Sequence, residues 1–103
     1  MEIVFKTKLL SDLYEHKKIT EKEFRSNPKL VKQYIKTVNT LKAAGRIEQL
    51  FHLKSLNYER LIGDLKGRCS VRINQQYRLV FEEISANGVI TVLGLEEISK
   101  HYE

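Results

Sequence analysis

The 103-residue sequence has a single cysteine, a single proline, no tryptophan and only five glycines. One cysteine, Cys69, cannot form an internal disulfide, so a disulfide-stapled secreted domain is excluded and the expected compartment is the reducing cytoplasm. The scarcity of proline and glycine excludes a flexible linker or a low-complexity tract. Because a chain of this length builds one hydrophobic core but not two, residues 1–103 predict a single domain.

Long hydrophobic runs are also absent. The apolar stretch GVITVLGL, residues 88–95, is far shorter than the ~20 residues that a membrane helix needs. The first residues, MEIVFKTKLL, lack both the charge order and the cleavage site of a signal peptide. We therefore expect no membrane association.

Acidic residues are fewer than basic ones, 13 against 18, which gives a net charge of +5. This excess favours a polyanionic partner, either nucleic acid or an acidic protein. The histidines His16 and His52 have no metal-ligand spacing to each other or to Cys69. Accordingly, the sequence predicts no metal site, and no cofactor is expected.

The chain divides into a helical first half and a strand-rich second half. A helix is predicted over residues 28–44, because Asn27 can cap it, Pro28 suits its first position and Gly45 can end it. From Tyr58 onward the apolar period changes to two, and this indicates strands over 59–67, 68–74, 77–84 and 89–98. The order of elements predicts an α+β fold in which helices pack on one face of a mostly antiparallel sheet.

The segment CSVRINQQYRLVF, residues 69–81, is predicted to form a β-hairpin with a three-residue connection. That register places Val71 opposite Leu79 in a wholly apolar ladder. It also places Arg72 opposite Arg78 on the other face. A two-residue connection would mix charged and apolar side chains on both faces, so the odd register is favoured.

Two like charges directly opposite each other cost up to ~1 kcal/mol, which requires an explanation. One interpretation is that Glu59, Glu82 or Glu96 neutralises the two arginines in an ordinary surface network. The other is that the pair stays available for an anion, because two guanidinium groups on a rigid sheet suit the oxygens of a phosphate. Lys66 and Arg68, in the preceding turn, would extend the same positive patch.

Residues 61–81, LIGDLKGRCSVRINQQYRLVF, closely resemble the core of the RelE-like toxins, in particular their HigB branch. The upstream stretch PKLVKQYIKTVNTLKAAGRIEQL is similar to the long helix and turn of that branch. The resemblance implies a compact RelE-like sheet with helices on one face. It also implies the toxin of a type II toxin–antitoxin pair, which cleaves mRNA at the ribosome and halts translation. The implied partner is a helix-turn-helix antitoxin, and operator DNA would be reached only through that antitoxin.

Metal-free RNA cleavage needs a base for the ribose 2′-OH, an acid for the leaving 5′-oxygen and cations for the phosphorane charge. The resemblance assigns the cations to Arg72 and Arg78 with Lys66 as a helper, and the acid or base to His101. Tyr102 would assist by a hydrogen bond or by stacking on a base. The carboxylate of Glu59, which is not the family's residue at its position, is the alternative base. Lys66, Arg68, Arg72 and Arg78 form the corresponding RNA-binding set.

Four positions depart from the family pattern, and one of them is Glu59, which stands where some relatives have histidine. Ile62 stands where many relatives have lysine, while Ser99 and Lys100 replace an Asp-Tyr pair before the histidine. Two alternatives therefore remain open at this point. One is a ParE-like inhibitor of DNA gyrase, which acts by binding protein, and the other is a catalytically inert relic that still binds RNA or the antitoxin.

Overall fold

Helices and strands follow one another much as the sequence predicts. The computed structural model describes residues 1–61, 63 and 67–100. In chain order the elements are β1 Glu2–Phe5, α1 Lys8–Tyr14, α2 Lys22–Arg25, α3 Pro28–Ala43, α4 Ile47–Phe51, the 3₁₀ turn Lys54–Leu56, β2 Glu59–Arg60, β3 Arg68–Arg72, β4 Tyr77–Ala86 and β5 Val89–Lys100. Within this part of the chain no helix is both long and apolar enough to cross a membrane.

The strands form one five-stranded sheet in the order β1-β5-β4-β3-β2. The pairings β2–β3, β3–β4 and β4–β5 are antiparallel, and β1 pairs with β5 in parallel. The predicted α+β fold with a mostly antiparallel sheet is confirmed.

Helix α3 begins where the sequence signals indicate, but it ends at Ala43, one residue before the predicted end. Gly45 does not adopt the left-handed conformation of a terminating glycine, and the chain leaves the helix through an extended Ala44. The Asn27 side chain caps it by accepting a hydrogen bond from the Leu30 amide at 3.2 Å, and Pro28 occupies the first turn. The buried stripe of the helix consists of Leu30, Tyr34, Thr37, Val38 and Leu41. The Tyr34 hydroxyl also donates to the Leu10 carbonyl at 2.8 Å, which joins α3 to α1.

The helices cover one face of the sheet, and the core lies between them. The sheet side chains in this core are Cys69, Val71, Tyr77, Leu79, Phe81, Leu93 and Leu95. The alternate positions of β3 and β4, among them Ser70, Arg72, Arg78 and Val80, point to the opposite side, here called the open face. Of these four residues only Arg72 is exposed, and the other three are buried. None of the described helices α1–α4 packs on the open face.

The strand predicted over 59–67 is shorter than expected. Strand β2 contains only Glu59 and Arg60, and Gly63 has a φ of 74° in the left-handed region, which does not continue a strand. The prediction at residues 62 and 64–66 lies outside the described residues.

Burial of the Cys69 thiol predicts a loss of stability at alkaline pH. Cys69 is only 1% exposed, and burial raises the pKa of its thiol from 9.0 to about 11. The unfolded chain therefore releases this proton at a lower pH than the folded chain, so stability present below pH 9 is lost as pH rises. We expect Cys69 by itself to lower the free energy of unfolding by on the order of 2 kcal/mol between about pH 9 and 11.

Urea unfolding at a series of pH values measures this fall. In Cys69→Ala the decline should begin only near pH ~10, the range in which unfolded tyrosines ionise, because burial also raises the pKa values of Tyr34 and Tyr58. A variant whose stability declines in parallel with the parent from pH ~9 would contradict the assignment to Cys69.

Candidate anion site on the open face

The arginine hairpin has the register that its alternation predicts. Arg72 pairs with Arg78, Val71 with Leu79 and Cys69 with Phe81. Val71 and Leu79 are fully buried in the core. Since a slip of one residue would exchange the two faces, burial of the apolar ladder places both arginines on the open face.

The tip of the hairpin is fixed to the helical layer. The Asn74 side-chain oxygen accepts hydrogen bonds from the Gln76 and Tyr77 amides at 2.8 and 2.9 Å, which is typical of an Asx turn. The Asn74 side-chain nitrogen donates to Gln33 Oε1 at 2.8 Å, and the Tyr77 hydroxyl donates to Glu23 Oε2 at 2.8 Å. These contacts hold the two arginines on a rigid support.

The guanidinium of Arg78 is buried and anchored. Its side chain is 9% exposed. Its Nε donates to Ser70 Oγ at 2.9 Å, and its Nη2 donates to the carbonyls of Asn57 and Ser70 at 2.7 and 3.3 Å. A guanidinium carries five N–H donors, and Nη1 bonds to no residue in the described part of the chain. Two N–H donors therefore remain for a ligand.

One of the two carbonyls that accept a hydrogen bond from Arg78 Nη2 belongs to Asn57, which has an unusual backbone conformation. Asn57 follows the 3₁₀ turn with φ 45° and ψ 59°, a left-handed conformation that asparagine tolerates better than most residues. Its side-chain nitrogen donates to Glu59 Oε1 at 3.4 Å. The turn thus places the Asn57 carbonyl and the Glu59 carboxylate beside the Arg78 guanidinium.

Glu59 is the acid that lies beside the arginine pair. Its Oε2 is 3.8 Å from Arg78 Nη2, outside hydrogen-bonding distance, and its side chain is 50% exposed. Glu82 and Glu96, the two other acids considered for neutralising the arginines, contact Lys6 and Arg68 instead. Among the residues that the structure describes, the arginine pair is therefore only partly neutralised, by the contact of Glu59 with Arg78.

The two arginines differ in exposure and in what holds them. Burial lowers the pKa of the Arg78 guanidinium, the Glu59 carboxylate opposes this, and the charge of Arg72 lowers the pKa further. Arg72 is exposed and makes no hydrogen bond or ion pair with any described residue. The expected like-charge repulsion is therefore present, and an anion bound between the two groups would relieve it.

A second charged cluster on the open face, here called the ion ring, contains Lys6, Arg68, Glu82 and Glu96. Lys6 Nζ is 2.5 Å from Glu82 and 2.9 Å from Glu96. Arg68 contacts the same two acids, with Nε 2.6 Å from Glu96 and Nη1 3.8 Å from Glu82. Arg68, predicted to bind RNA, is thus paired with carboxylates in this structure.

The ion ring depends on contacts that sequence patterns do not reveal. Lys6 reaches it because β1 lies in parallel beside β5, and a Cβ at Gly94 would stand 2.7 Å from the Lys6 side chain. An irregularity in the β4–β5 pairing between Val80 and Phe81 lies beside Glu96, which faces Arg68.

The structure brings together three of the predicted site residues, Arg72, Arg78 and Glu59. Ser99 pairs with Arg78 across β4 and β5, two positions before His101. His101, Tyr102, Lys66 and Ile62 lie outside the described residues. Sequence reasoning missed Ser70 and Asn57, although the alternation of β3 does place Ser70 on the face of the arginines.

Comparison with known proteins adds a family match over most of the chain. A family model described as the RelE-like toxin of the type II toxin–antitoxin system HigB matches residues 3–96. Toxin HigB-1 of Vibrio cholerae serotype O1 is 33% identical over 94 residues, which cover 90% of this chain and 95% of that toxin.

Solved structures share the fold at lower identity. A YoeB/ParE toxin from Agrobacterium tumefaciens is 24% identical with a TM-score of 0.59, covering 99% of this chain and all of that one. A chain of the YoeB–YefM complex from Staphylococcus aureus is 24% identical with a TM-score of 0.53, and the match covers 99% of this chain and 98% of that one. These similarities establish the RelE-like architecture.

Proposed function

The chain belongs to the HigB-like family of RelE-like toxins of type II toxin–antitoxin systems, and from this premise we propose that it is an endoribonuclease that cleaves mRNA on the ribosome. The observation that carries the proposal is the pair Arg72–Arg78, two cations held opposite each other on the open face. An RNA phosphate between them relieves a repulsion that the fold otherwise tolerates.

The two arginines would stabilise the charge that develops during cleavage. Attack of a ribose 2′-OH on the adjacent phosphate gives a pentavalent phosphorane whose extra negative charge lies on its non-bridging oxygens. Arg78 offers donors in a fixed, poorly solvated position, where such donors act most strongly because they need no reorganisation. Arg72 adds a second, exposed guanidinium from the facing strand. We assign the stabilisation of the phosphorane charge to these two guanidinium groups.

Proton transfer requires two further groups. We assign the role of the base that accepts the 2′-OH proton to Glu59, and its position 3.8 Å from Arg78 Nη2 supports this assignment. We assign the role of general acid to His101, which would donate a proton to the leaving 5′-oxygen. Tyr102 would assist by a hydrogen bond or by stacking on a base. The products would be a 2′,3′-cyclic phosphate and a 5′-OH end, and the step needs no cofactor.

Lys66 and Arg68 complete the proposed RNA-binding set. Arg68 would contact the flanking backbone by exchanging Glu96 for a phosphate, so its contribution competes with the ion ring. We therefore expect Arg72 and Arg78 to dominate the affinity for RNA.

The proposed partners follow from the family. A cognate antitoxin, expected to be a helix-turn-helix protein, would bind the toxin in the cytoplasm and would connect it to operator DNA. A structure of the same fold has been solved as a YoeB–YefM complex, and this likeness supports a stable toxin–antitoxin pair here.

Cleavage in a translating extract tests the proposed function. Purified toxin added to such an extract should produce mRNA fragments ending in cyclic phosphate, and an inhibitor of translation initiation should prevent them. Intact mRNA together with DNA gyrase inhibition would support the ParE-like alternative instead. Folded protein with neither effect would support the inert relic.

A further inference from the structure

A groove on the helical side of the molecule is not used by the proposed reaction. It has a volume of about 680 Å³ and lies between α1, α2, α3 and the segment that joins the first two. The apolar side chains along it are Leu13, Ile19, Phe24, Val31 and Ile35. Leu13 and Phe24 belong to the core, whereas Ile19, Val31 and Ile35 are half-buried and present apolar surface to the groove.

The rim of this groove is basic. Lys17, Arg25 and Lys32 line it and are exposed, and no carboxylate is among the described residues that line it. Lys17 pairs at 3.2 Å with Glu15, also exposed. Arg25 and Lys32 make no ion pair with any residue in the described ranges. The groove therefore combines an apolar floor with uncompensated positive charge.

We propose that this groove binds an acidic, amphipathic helix of the cognate antitoxin, an inference that rests on the proposed function. The lining residues all lie between positions 13 and 35, in helices and their connections, so no strand edge is present for a partner strand to join. A helix in the groove places apolar side chains against Val31 and Ile35, one turn apart, and carboxylates against Arg25 and Lys32.

A second copy of this chain and an RNA strand each fit the groove less well. A second copy of this chain carries a net charge of +5 and would bring cations to a basic rim. RNA would satisfy the rim through its phosphates but would leave the apolar floor without a partner. An acidic helix satisfies both.

Occupation of the groove would leave the reaction site uncovered. The groove is formed by the helical layer, whereas Arg72 and Arg78 lie on the open face. The helix we propose therefore anchors the antitoxin on the toxin and does not itself block the arginines. Antitoxin affinity and RNA cleavage should respond to different substitutions.

Binding of the purified antitoxin, taken as the product of the gene beside that of the toxin, tests this inference by calorimetry at low salt. The double variant Arg25→Glu/Lys32→Glu should weaken binding about tenfold or more. The matched control Lys29→Glu/Lys36→Glu makes the same charge change on exposed lysines outside the groove, and its affinity should stay within about threefold of the parent. Val31→Ser/Ile35→Ser, with folding checked by circular dichroism, should also weaken binding about tenfold or more.

Three results separate the possible outcomes. Parental affinity in Arg25→Glu/Lys32→Glu would overturn the inference. If Arg25→Glu/Lys32→Glu loses RNA cleavage but keeps the parental antitoxin affinity, the inference is also overturned and the groove is assigned to RNA. If even the parent fails to cleave mRNA, the proposed function fails, while the affinities still decide whether the groove binds the antitoxin.

Discussion

Replacing Arg78 by alanine is expected to lower the rate of mRNA cleavage ~100- to 1,000-fold. The guanidinium is held by three hydrogen bonds to Ser70 and Asn57 and keeps two donors for the phosphate. Arg78→Lys should be nearly as slow, since an ammonium group cannot reproduce the planar fork that reaches these acceptors. The initial rate in a translating extract measures the effect.

Loss of the fold must be separated from loss of catalysis in this experiment. Circular dichroism and urea unfolding report whether Arg78→Ala is folded at the assay temperature. Arg46→Ala removes an exposed arginine at the start of α4 and should keep the parental rate. Cleavage by a folded Arg78→Ala within about threefold of the parental rate would remove Arg78 from the reaction.

The second large effect is expected at His101. Its replacement by alanine should slow cleavage ~100- to 10,000-fold, because the 5′-oxygen would then leave without a proton. A substrate in which sulfur replaces that oxygen leaves as a thiolate and needs no acid, so it should restore most of the rate. Single-turnover cleavage of the two substrates measures this directly.

This rescue distinguishes general-acid catalysis from a structural role. His52→Ala, which removes an exposed histidine at the end of α4, is the matched control and should cleave both substrates like the parent. If His101→Ala cleaves the natural substrate at the parental rate, the acid is another group. If the sulfur substrate is not rescued, His101 acts in some other way than by protonating the leaving oxygen.

The fold was predictable wherever a local pattern encodes it. Helix α3 carries its own cap and stripe, and the hairpin has an alternation that only one register satisfies. The parallel pairing of β1 with β5 has no such local signal, because its two strands are separated by the whole helical layer. The ion ring depends on that pairing and has no local sequence signal for the same reason.

The candidate site was predictable in part for a similar reason. Alternation places Arg72 and Arg78 on one face, but it does not distinguish their environments. Arg78 is buried because Asn57, 21 residues upstream, directs a carbonyl at it from a left-handed turn. Alternation gives Arg68 the same face as the other two arginines, whereas in the structure Arg68 pairs with Glu96 and Glu82. The difference between an anchored and an exposed arginine arises from tertiary contacts.

Mapping RNA ends after brief induction of the toxin in living cells tests the central proposal most directly. For the parent we expect new ends within translated coding sequences, and we expect these ends to disappear in Arg78→Ala and when translation initiation is blocked. New ends that persist undiminished in folded Arg78→Ala, or growth arrest with intact mRNA, would contradict the proposal that this toxin cleaves ribosome-bound mRNA at its paired arginines.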